Sequence, residues 1–454
     1  MTSGHTETLD VILYDRVVAR IEARHDVMHL EYASRDSLPL SPSLDPKISL
    51  HWDDRKPDRG AVASYVEGLL PEDPAERRRV MTSTGMRGRP TPFRLISIMG
   101  YDCPGAVRLC SLDMTADLLS GKGGLTPLSS EEVEDQLSSL VINSHSRDYR
   151  KTHWSLPGAQ SKSAYRIRRD GVWCVPYGAE PTSVIVKPSL PGMLAQARNE
   201  MACLLTASDL GLPAARTDVF HSAGTDFVLS WRFDRTGDPD GHMDRIHQMD
   251  FCQALGFTSD LKYEEDGGPT LLDMLALAGR LDPEMPYEML LQVQFNALVG
   301  ATDLHSKNMS IQLLPDGRYR MSPMYDVASI IPYMDAGDPE LTFSYHVNGL
   351  NRFDELADVK VWTALAGKAG LDVDRVADGF TGLASGFADA ARHRFAGLEP
   401  GRLGEIMENR MFSFLEAIED SGFSLPSASD SFGIIDPGSA LPDQLENNDP
   451  ARTR

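Results

Sequence analysis

The chain has 454 residues and a formal net charge of −22. That length accommodates two or three domains, and 41% hydrophobic with 24% charged residues is the balance of an ordinary globular protein, not of a disordered chain. So acidic a chain gains little from a phosphate backbone, which argues against nucleic-acid binding by this chain alone. No apolar run is long enough to span a bilayer, and the start, MTSGHTETLD, has neither the charged nor the apolar region of a secretory signal. The five cysteines are scattered, odd in number and without metal-ligand spacing, which suits buried thiols in a reducing cytoplasm.

In chain order, residues 1–8 are expected to be flexible. From Leu9 to Trp52 short β signals dominate, in DVILYDRVVARIEA, VMHLEY and ISLHW. Ser64 to Leu119 mixes helix and loop, and residues 9–145 are expected to form a small α+β domain. Basic runs at Arg77–Arg79 and Arg87–Arg89 read as a solvated helix face or loop, with an accessory DNA contact or a partner-facing patch as the alternative. A polar stretch, Asn143–His153, leads into a second unit spanning 146–234.

That unit opens with WSLPGAQSK (Trp154–Lys162), where Gly158 permits close backbone approach and exposed N–H groups can cradle phosphate oxygens. It has one glycine where a protein-kinase loop has three, and lacks the ending of a Walker sequence. A hairpin, YRIRR-DG-VWCV, follows. The β-branched run Val184–Val186 then predicts a buried strand with Lys187 at its end, where a lysine costs desolvation unless paired. A helix is expected from about Met193 to Leu210, stopped by Gly211 and Pro213, and it offers Glu200 as the partner of Lys187. TDFVLSWRFDR reads as a strand running into a link between lobes, where the backbone of Trp231, Arg232 and Phe233 faces an adenine edge or the side chains are plain core.

From 235 to about 424 the pattern becomes mostly helical, with helices expected at Val359–Ala369, Val373–Arg392 and Leu403–Asp420. It is interrupted by TDLHSKN (Thr302–Asn308) and MYDVAS (Met324–Ser329). An acid followed five positions later by an asparagine, Asp303 and Asn308, is the spacing of a kinase catalytic loop, in which the acid takes the proton of the attacking hydroxyl and the asparagine holds magnesium. Between the two segments lies a predicted hairpin, Met309–Leu314 and Arg318–Pro323, turning at Asp316-Gly317. Folding it carries Asp326 back beside Asn308, as a shared metal requires. His305 reads as a structural hydrogen-bonding residue, and Lys307 as a charge near the transferred phosphoryl. The last residues, 425–454, are rich in Ser, Pro and Asp and are expected to be disordered.

Taken together, LPGAQSK, VIVKPS, ARNEMACLL, WRFDR, RIHQMDFCQALG, FNALVGATDLHSKNMSI and MSPMYDVAS resemble, in order, the HipA family of bacterial toxin kinases, which pair with a HipB antitoxin. YVEGLLPE (Tyr65–Glu72) and YDCPGAVRL (Tyr101–Leu109) are similar to that family's N-terminal domain. The resemblance implies an α+β, two-lobed, protein-kinase-like fold with a small N-terminal domain and a mostly helical C-terminal lobe. It implies a cytoplasmic, ATP- and Mg2+-dependent serine/threonine kinase with Asp303 as catalytic acceptor of the proton. ATP would be held by Pro157, Gly158, Ala159, Gln160, Ser161, Lys162, Lys187, Trp231, Arg232, Phe233, His305, Ser306, Lys307, Asn308, Tyr325 and Asp326, and the metal by Asn308 and Asp326.

By the same resemblance Ser155 is an autophosphorylation site that silences the enzyme. The partners are a HipB-like helix-turn-helix antitoxin, operator DNA through that antitoxin, and a protein substrate, an aminoacyl-tRNA synthetase with glutamyl-tRNA synthetase as the best match. A small-molecule kinase, or a silent kinase fold acting as corepressor, remain the alternatives.

Overall fold

The computed structural model describes residues 7–24, 27–48, 52–53, 56–57, 59–142, 152–334 and 341–399, with 405, 408–413 and 416 beyond them. β1 (Glu7–Leu13), β2 (Arg16–Arg24) and β3 (Val27–Tyr32) form an antiparallel meander. Along β2, Ala19, Ile21 and Ala23 are buried while Arg20, Glu22 and Arg24 face out, the two-residue period of a half-buried strand. Tyr14 and Asp15 turn the first hairpin with φ of 49° and 56°, the handedness that matches the twist of a tight hairpin. Glu7 and Thr8, expected to be flexible, already belong to β1; residues 1–6 lie outside the described set.

After the short pair β4 (Trp52–Asp53) and β5 (Lys56–Pro57) come α1 (Arg59–Glu67), α2 (Pro74–Thr84) and α3 (Pro92–Met99), then β6 (Arg108–Ser111), which joins the edge of β1. Asp73 caps α2 by accepting from Ala75 N (2.8 Å) and Glu76 N (3.3 Å), with Pro74 in the first turn. Arg79 pairs with Glu76 at 2.9 Å and Arg77 with Glu67 at 2.6 Å, so these two arginines are answered by acids of their own domain, while Arg78 is exposed. Val62, Tyr65, Val66, Leu95, Ile96 and Leu109 close the core between helices and sheet.

α4 (Thr115–Leu119), β7 (Gly123–Pro127) and α5 (Ser130–Val141) lead to β8 (Ser163–Ile167), β9 (Trp173–Gly178), β10 (Val184–Pro188), α6 (Gln196–Asp209), β11 (Thr217–Ser222) and β12 (Thr225–Trp231). The six strands form one sheet, ordered β11-β12-β10-β8-β9-β7. Residues 123–142 were expected within the N-terminal domain, but β7 pairs with β9, and α5 lays Val133, Leu137 and Leu140 on Tyr165, Ile167, Val184 and Phe227. An amphipathic helix needs an apolar sheet face and an open strand edge needs a partner, and the upper sheet offers both. α6 begins three residues later than expected. Ala195 has a left-handed φ of 54°, and Leu194, just before the helix, is exposed.

The remainder comprises the hairpin β13 (Arg235–Gly237) and β14 (Met243–Arg245), then β15 (His247–Asp250), α7 (Phe251–Leu255), α8 (Leu271–Leu281) and α9 (Met285–Val299). β16 (Ser310–Leu313) and β17 (Tyr319–Met321) follow, and β15 pairs with β16 to make a three-stranded sheet. The chain continues through β18 (Thr342–Val347), β19 (Leu350–Arg352), α10 (Phe353–Leu356), α11 (Val359–Ala369) and α12 (Val373–Phe395). α9 is buried on nearly all sides, packing Val293, Phe295 and Val299 into a core with Trp362, Phe380 and Phe387. α11 has the expected bounds and α12 runs three residues further. Of the helix expected at 403–420, residues 405, 408–413 and 416 are described and helical; the expected tail, 425–454, lies outside the described residues. Among the described residues no helix is long and apolar enough to cross a membrane.

The N-terminal domain docks on both lobes. Tyr14 donates its hydroxyl to Leu313 O and accepts from His247 N (2.9 Å), and Ser41 and Ser43 donate to Gln253 O at 2.8 and 2.6 Å. Gly68 has to be glycine at this contact, because a Cβ there would meet Gln253 Cγ at 2.7 Å. His247 donates from Nε2 to Leu40 O (2.8 Å), and burial drops its pKa to about 4, so it sits neutral in the seam.

Candidate active site

A cleft of about 640 Å3 opens between the six-stranded sheet and the helical lobe. Lys187, at the end of β10, reaches into it. Its ammonium donates to Glu200 Oε1 (2.9 Å) and Oε2 (3.2 Å) on α6 and to Asp326 Oδ1 (2.6 Å). Burial works against the Lys187 charge, but Asp326 and Glu200 outweigh it and hold the pKa above the usual lysine range. The Lys187 charge in turn holds the Asp326 carboxyl low, although the walls of the cleft partly desolvate it. Asp326 has a φ of 58°. For a residue with a Cβ that conformation costs about 1–2 kcal/mol and clusters at functional sites.

The hairpin β16–β17 joins the two loops. Tyr325 accepts from Ser310 Oγ (2.6 Å) and donates to Lys307 O (2.8 Å), fastening the arm that carries Asn308 to the arm that carries Asp326. Within the first loop Asn308 Nδ2 donates to Asp303 O at 2.9 Å, which commits the amide nitrogen and turns the amide oxygen into the group a cation would use. Asp303, His305, Lys307, Asn308, Tyr325 and Asp326 all line the cleft. His305 is buried, which lowers its pKa despite Asp303, and its ring packs edge-on to Tyr263 with centroids 5.1 Å apart. Ser306 does not line the cleft. Its hydroxyl donates to Lys262 O at 2.7 Å, so it supports the neighbouring segment and has no reach to a nucleotide.

Across the cleft, Pro157, Gly158, Ala159, Gln160 and Lys162 line the opposite wall; Ser161 does not. Gly158 has a φ of 103°, and a Cβ there would stand 2.5 Å from Lys162 Nζ, so the lysine folds directly under the turn. Lys162 donates to Pro157 O at 2.6 Å, and Gln160 Nε2 to Pro188 O at 2.7 Å. Burial, with Asp326 opposing and Lys187 reinforcing it, brings the Lys162 pKa down to about 8. Ser155 is fully buried below the turn and donates to Leu69 O at 2.6 Å.

The link between lobes is held more firmly than its sequence suggests. The N–H groups of Trp231 and Arg232 already donate to Arg216 O and Ser183 O, both at 2.9 Å, and are not open to a base edge while those bonds stand. The Arg232 side chain turns away into a buried network, reaching Asp102 (3.2 Å), Thr182 Oγ1 (2.9 Å), Cys103 O (2.8 Å) and Asp234 (2.7 Å). Trp231 Nε1 donates to Asp218 at 2.6 Å. Phe233 faces the cleft, its ring 5.5 Å from that of Tyr325.

Two contributors have no counterpart among the expected site residues. Tyr263 donates to Asp303 Oδ1 at 2.6 Å. Glu72, from the N-terminal domain, accepts from Lys307 Nζ at 2.7 Å and lies 3.6 Å from Lys262 Nζ, while its N–H donates to Gly158 O at 3.2 Å. Burial would raise the Glu72 pKa, but Lys307, Lys262 and Lys162 hold it below the usual range. The only hint in the sequence was the EGLLPE run itself, which carries no spacing relation to the loops it meets.

Among the described residues no three of His, Cys, Asp and Glu are grouped to hold a metal. A carboxylate and an amide oxygen, Asp326 and Asn308, are nevertheless a hard, all-oxygen donor pair. They suit a magnesium ion that keeps several waters and takes its other ligands from phosphates.

A sheet-bearing lobe with a paired strand lysine, set over a helical lobe with an Asp-Asn loop and a second Asp, defines a two-lobed kinase. Residues 154–390 match the HipA-like C-terminal domain, and residues 9–110 the HipA N-terminal domain. The chain belongs to the HipA family and is a kinase of that family. It is 31% identical to "Putative kinase Y4mE" of Sinorhizobium fredii over 78% of this chain and 82% of that one. It is 26% identical to "Serine/threonine-protein kinase toxin HipA" of Shewanella oneidensis over 74% of this chain and 78% of that one. A solved complex of HipA, HipB and operator DNA from Shewanella oneidensis MR-1 contains a chain of like fold, with a TM-score of 0.72 at 23% identity, covering 91% of this chain and 97% of that one.

Proposed function

We propose that the chain is an ATP- and Mg2+-dependent serine/threonine-protein kinase and the toxin of a toxin–antitoxin pair. The observation that carries this reading is the Lys187 ammonium bridging Glu200 and Asp326 on the wall of the cleft opposite Asp303. Lys187 and Lys162 hold nucleotide phosphates, the turn at Pro157–Lys162 covers them, and Phe233 and Tyr325 flank the base. Asp303 orients the acceptor hydroxyl and takes its proton as the new oxygen–phosphorus bond forms; the bond from the γ-phosphorus to the bridging oxygen breaks, and ADP leaves. Magnesium held by Asn308 and Asp326 supplies neutralisation of phosphate charge. With little covalent work for the protein, catalysis rests on positioning and charge.

The substrate is a cytoplasmic protein, with an aminoacyl-tRNA synthetase, glutamyl-tRNA synthetase first, as the leading candidate. The partner is a small HipB-like helix-turn-helix antitoxin that carries the affinity for operator DNA; a chain of net charge −22 is electrostatically suited to such a basic partner. Ser155 is the autophosphorylation site. Incubating the chain with γ-labelled ATP, magnesium and a cytoplasmic extract tests the reading. A labelled protein that disappears with the Asp303→Asn variant supports it. Label on a small molecule only, or none, overturns it.

A further inference from the structure

The segment that leads into the phosphate turn is not held by its own lobe alone. Tyr101 N and Asp102 N both donate to His153 O (3.1 and 3.3 Å), Ser155 N donates to Asp102 O (3.0 Å), Ser155 Oγ donates to Leu69 O (2.6 Å), and Glu72 N donates to Gly158 O (3.2 Å). The N-terminal domain therefore grips residues 153–158 from two of its own segments, 69–72 and 101–102. One residue of that grip continues into the cleft. The Glu72 carboxylate holds Lys307, four residues beyond Asp303, at 2.7 Å, and faces Lys262, the neighbour of the tyrosine bonded to Asp303, at 3.6 Å.

We propose that Glu72 is a positioning residue for phosphoryl transfer, through which the N-terminal domain fixes the phosphate turn relative to the catalytic loop. The proposal rests on the kinase reading above. Its backbone sets the height of the turn at Gly158. Its carboxylate sets the place of Lys307, whose side chain is only 5% exposed, and of the 262–263 segment beside Asp303. Four lysines, 162, 187, 262 and 307, surround this part of the cleft. Without the Glu72 carboxylate, Lys307 is left as a buried cation with no partner at that position and has to move toward Asp303 or solvent. A shift of about 1 Å in a loop that carries the proton acceptor costs up to about a hundredfold in rate, whereas nucleotide phosphates still find Lys187 and Lys162. The expected signature is thus in kcat more than in the KM for ATP.

Two measurements on the full chain test this. In the first, amine-reactive labelling of the ligand-free protein is followed by mass spectrometry at each lysine. Glu72→Gln is expected to raise the labelling of Lys307 several-fold and to leave Lys187, paired with Glu200, unchanged. Unchanged Lys307 labelling overturns the proposal, and this arm needs no transfer activity. In the second, kcat and the KM for ATP are measured for Glu72→Gln, Lys307→Met and the double variant. Each single variant is expected to lose about tenfold or more in kcat with KM for ATP within about twofold, the double variant falling no further than the worse single, and Glu72→Asp recovering part of the loss. Wild-type kcat in Glu72→Gln, or losses that multiply in the double variant, overturn the positioning role. A wild-type chain that transfers phosphate to nothing sinks the kinase reading, and the labelling arm still decides whether Glu72 holds Lys307.

Discussion

The Tyr263 hydroxyl donates to Asp303 Oδ1 at 2.6 Å across a sequence separation of 40 residues. Burial and the Asp303 charge raise the Tyr263 pKa, so the phenol stays protonated and remains a donor throughout the working pH range. With one carboxylate oxygen held by the phenol, the other is left for the acceptor hydroxyl of the proposed mechanism. A hydrogen bond to a charged group contributes about 1.5–3 kcal/mol. Tyr263→Phe is therefore expected to lower kcat by about tenfold or more without changing ATP affinity, as read by steady-state kinetics beside equilibrium nucleotide binding. Weakened ATP binding at unchanged kcat would place Tyr263 in the nucleotide site instead.

Asp303 and Asp326 are expected to separate chemistry from binding. In the proposed mechanism Asp303→Asn removes the proton acceptor and leaves Lys187, Lys162 and the turn in place, so transfer should be lost while nucleotide binding persists. Asp326→Ala removes the proposed magnesium oxygen and one of the two acids that keep Lys187 charged, so magnesium-dependent ATP binding should fall as well. Undiminished transfer by the Asp303 variant would remove the assignment.

Lys162 gives the site a pH dependence with a definite sign. Its pKa of about 8 in the ligand-free chain means that the ammonium is lost as pH rises past that value, while bound phosphates favour its charged form. ATP binding then takes up a proton above pH 8. Affinity should weaken by up to about tenfold per pH unit there and stay level between pH 6 and 7 as far as this group is concerned. Lys162→Met should bind more weakly at pH 7 and lose the dependence. Calorimetry in two buffers of different ionisation enthalpy would count the proton directly.

Ser155 cannot accept a phosphate where it stands. It is fully buried and its hydroxyl is committed to Leu69 O. A phosphate there brings nearly two negative charges into a closed seam between the domains, so the modified segment has to leave and take the turn at Gly158 with it. Incubation with ATP and magnesium should put phosphate on Ser155, weaken ATP binding by at least about tenfold in the modified protein, and leave Ser155→Ala active for longer. Phosphate confined to other residues, seen by mass spectrometry, would count against the switch.

What the sequence disclosed, and what it did not, follows from how far apart the partners lie. Lys187 and Glu200 are separated by one turn and one helix, and Asn308 and Asp326 by one hairpin, so local periodicity and turn residues locate them. Glu72 meets Lys307 across 235 positions and Asp102 meets Arg235 across 133, and no local pattern encodes such meetings. β7 and α5 fall within the expected 9–145 unit yet pack on the six-stranded sheet for a similar reason. Their own signals specify a strand and an amphipathic helix, but which sheet receives them depends on a vacant edge beside β9. WRFDR is the mixed case. It was legible as the link between lobes, whereas the inward turn of Arg232 depends on Asp102 in the other domain.

Asp102 makes that dependence measurable. It accepts from Arg235 at 2.8 Å, from Arg232 at 3.2 Å and from Arg245 at 3.3 Å, and also from Thr182 N and Oγ1 at 3.0 and 2.7 Å. Burial would raise its pKa, but the three guanidinium groups hold it far below the ordinary carboxylate range. A group whose folded pKa is depressed stabilises above its unfolded pKa, and that contribution is lost as pH falls toward the folded value. Asp102→Asn leaves three arginines to Asp234 and backbone carbonyls, and breaking such a buried set by removing one partner costs about 3–5 kcal/mol. Denaturant unfolding at pH 7 should show a loss of that order. The difference between wild type and variant should shrink as pH drops below about 4, where Asp102 in the unfolded chain takes up its proton. A difference that stays constant from pH 7 to pH 3 would mean that the loss comes from packing, and that the seam between N-terminal domain and interlobe link does not rest on the Asp102 charge.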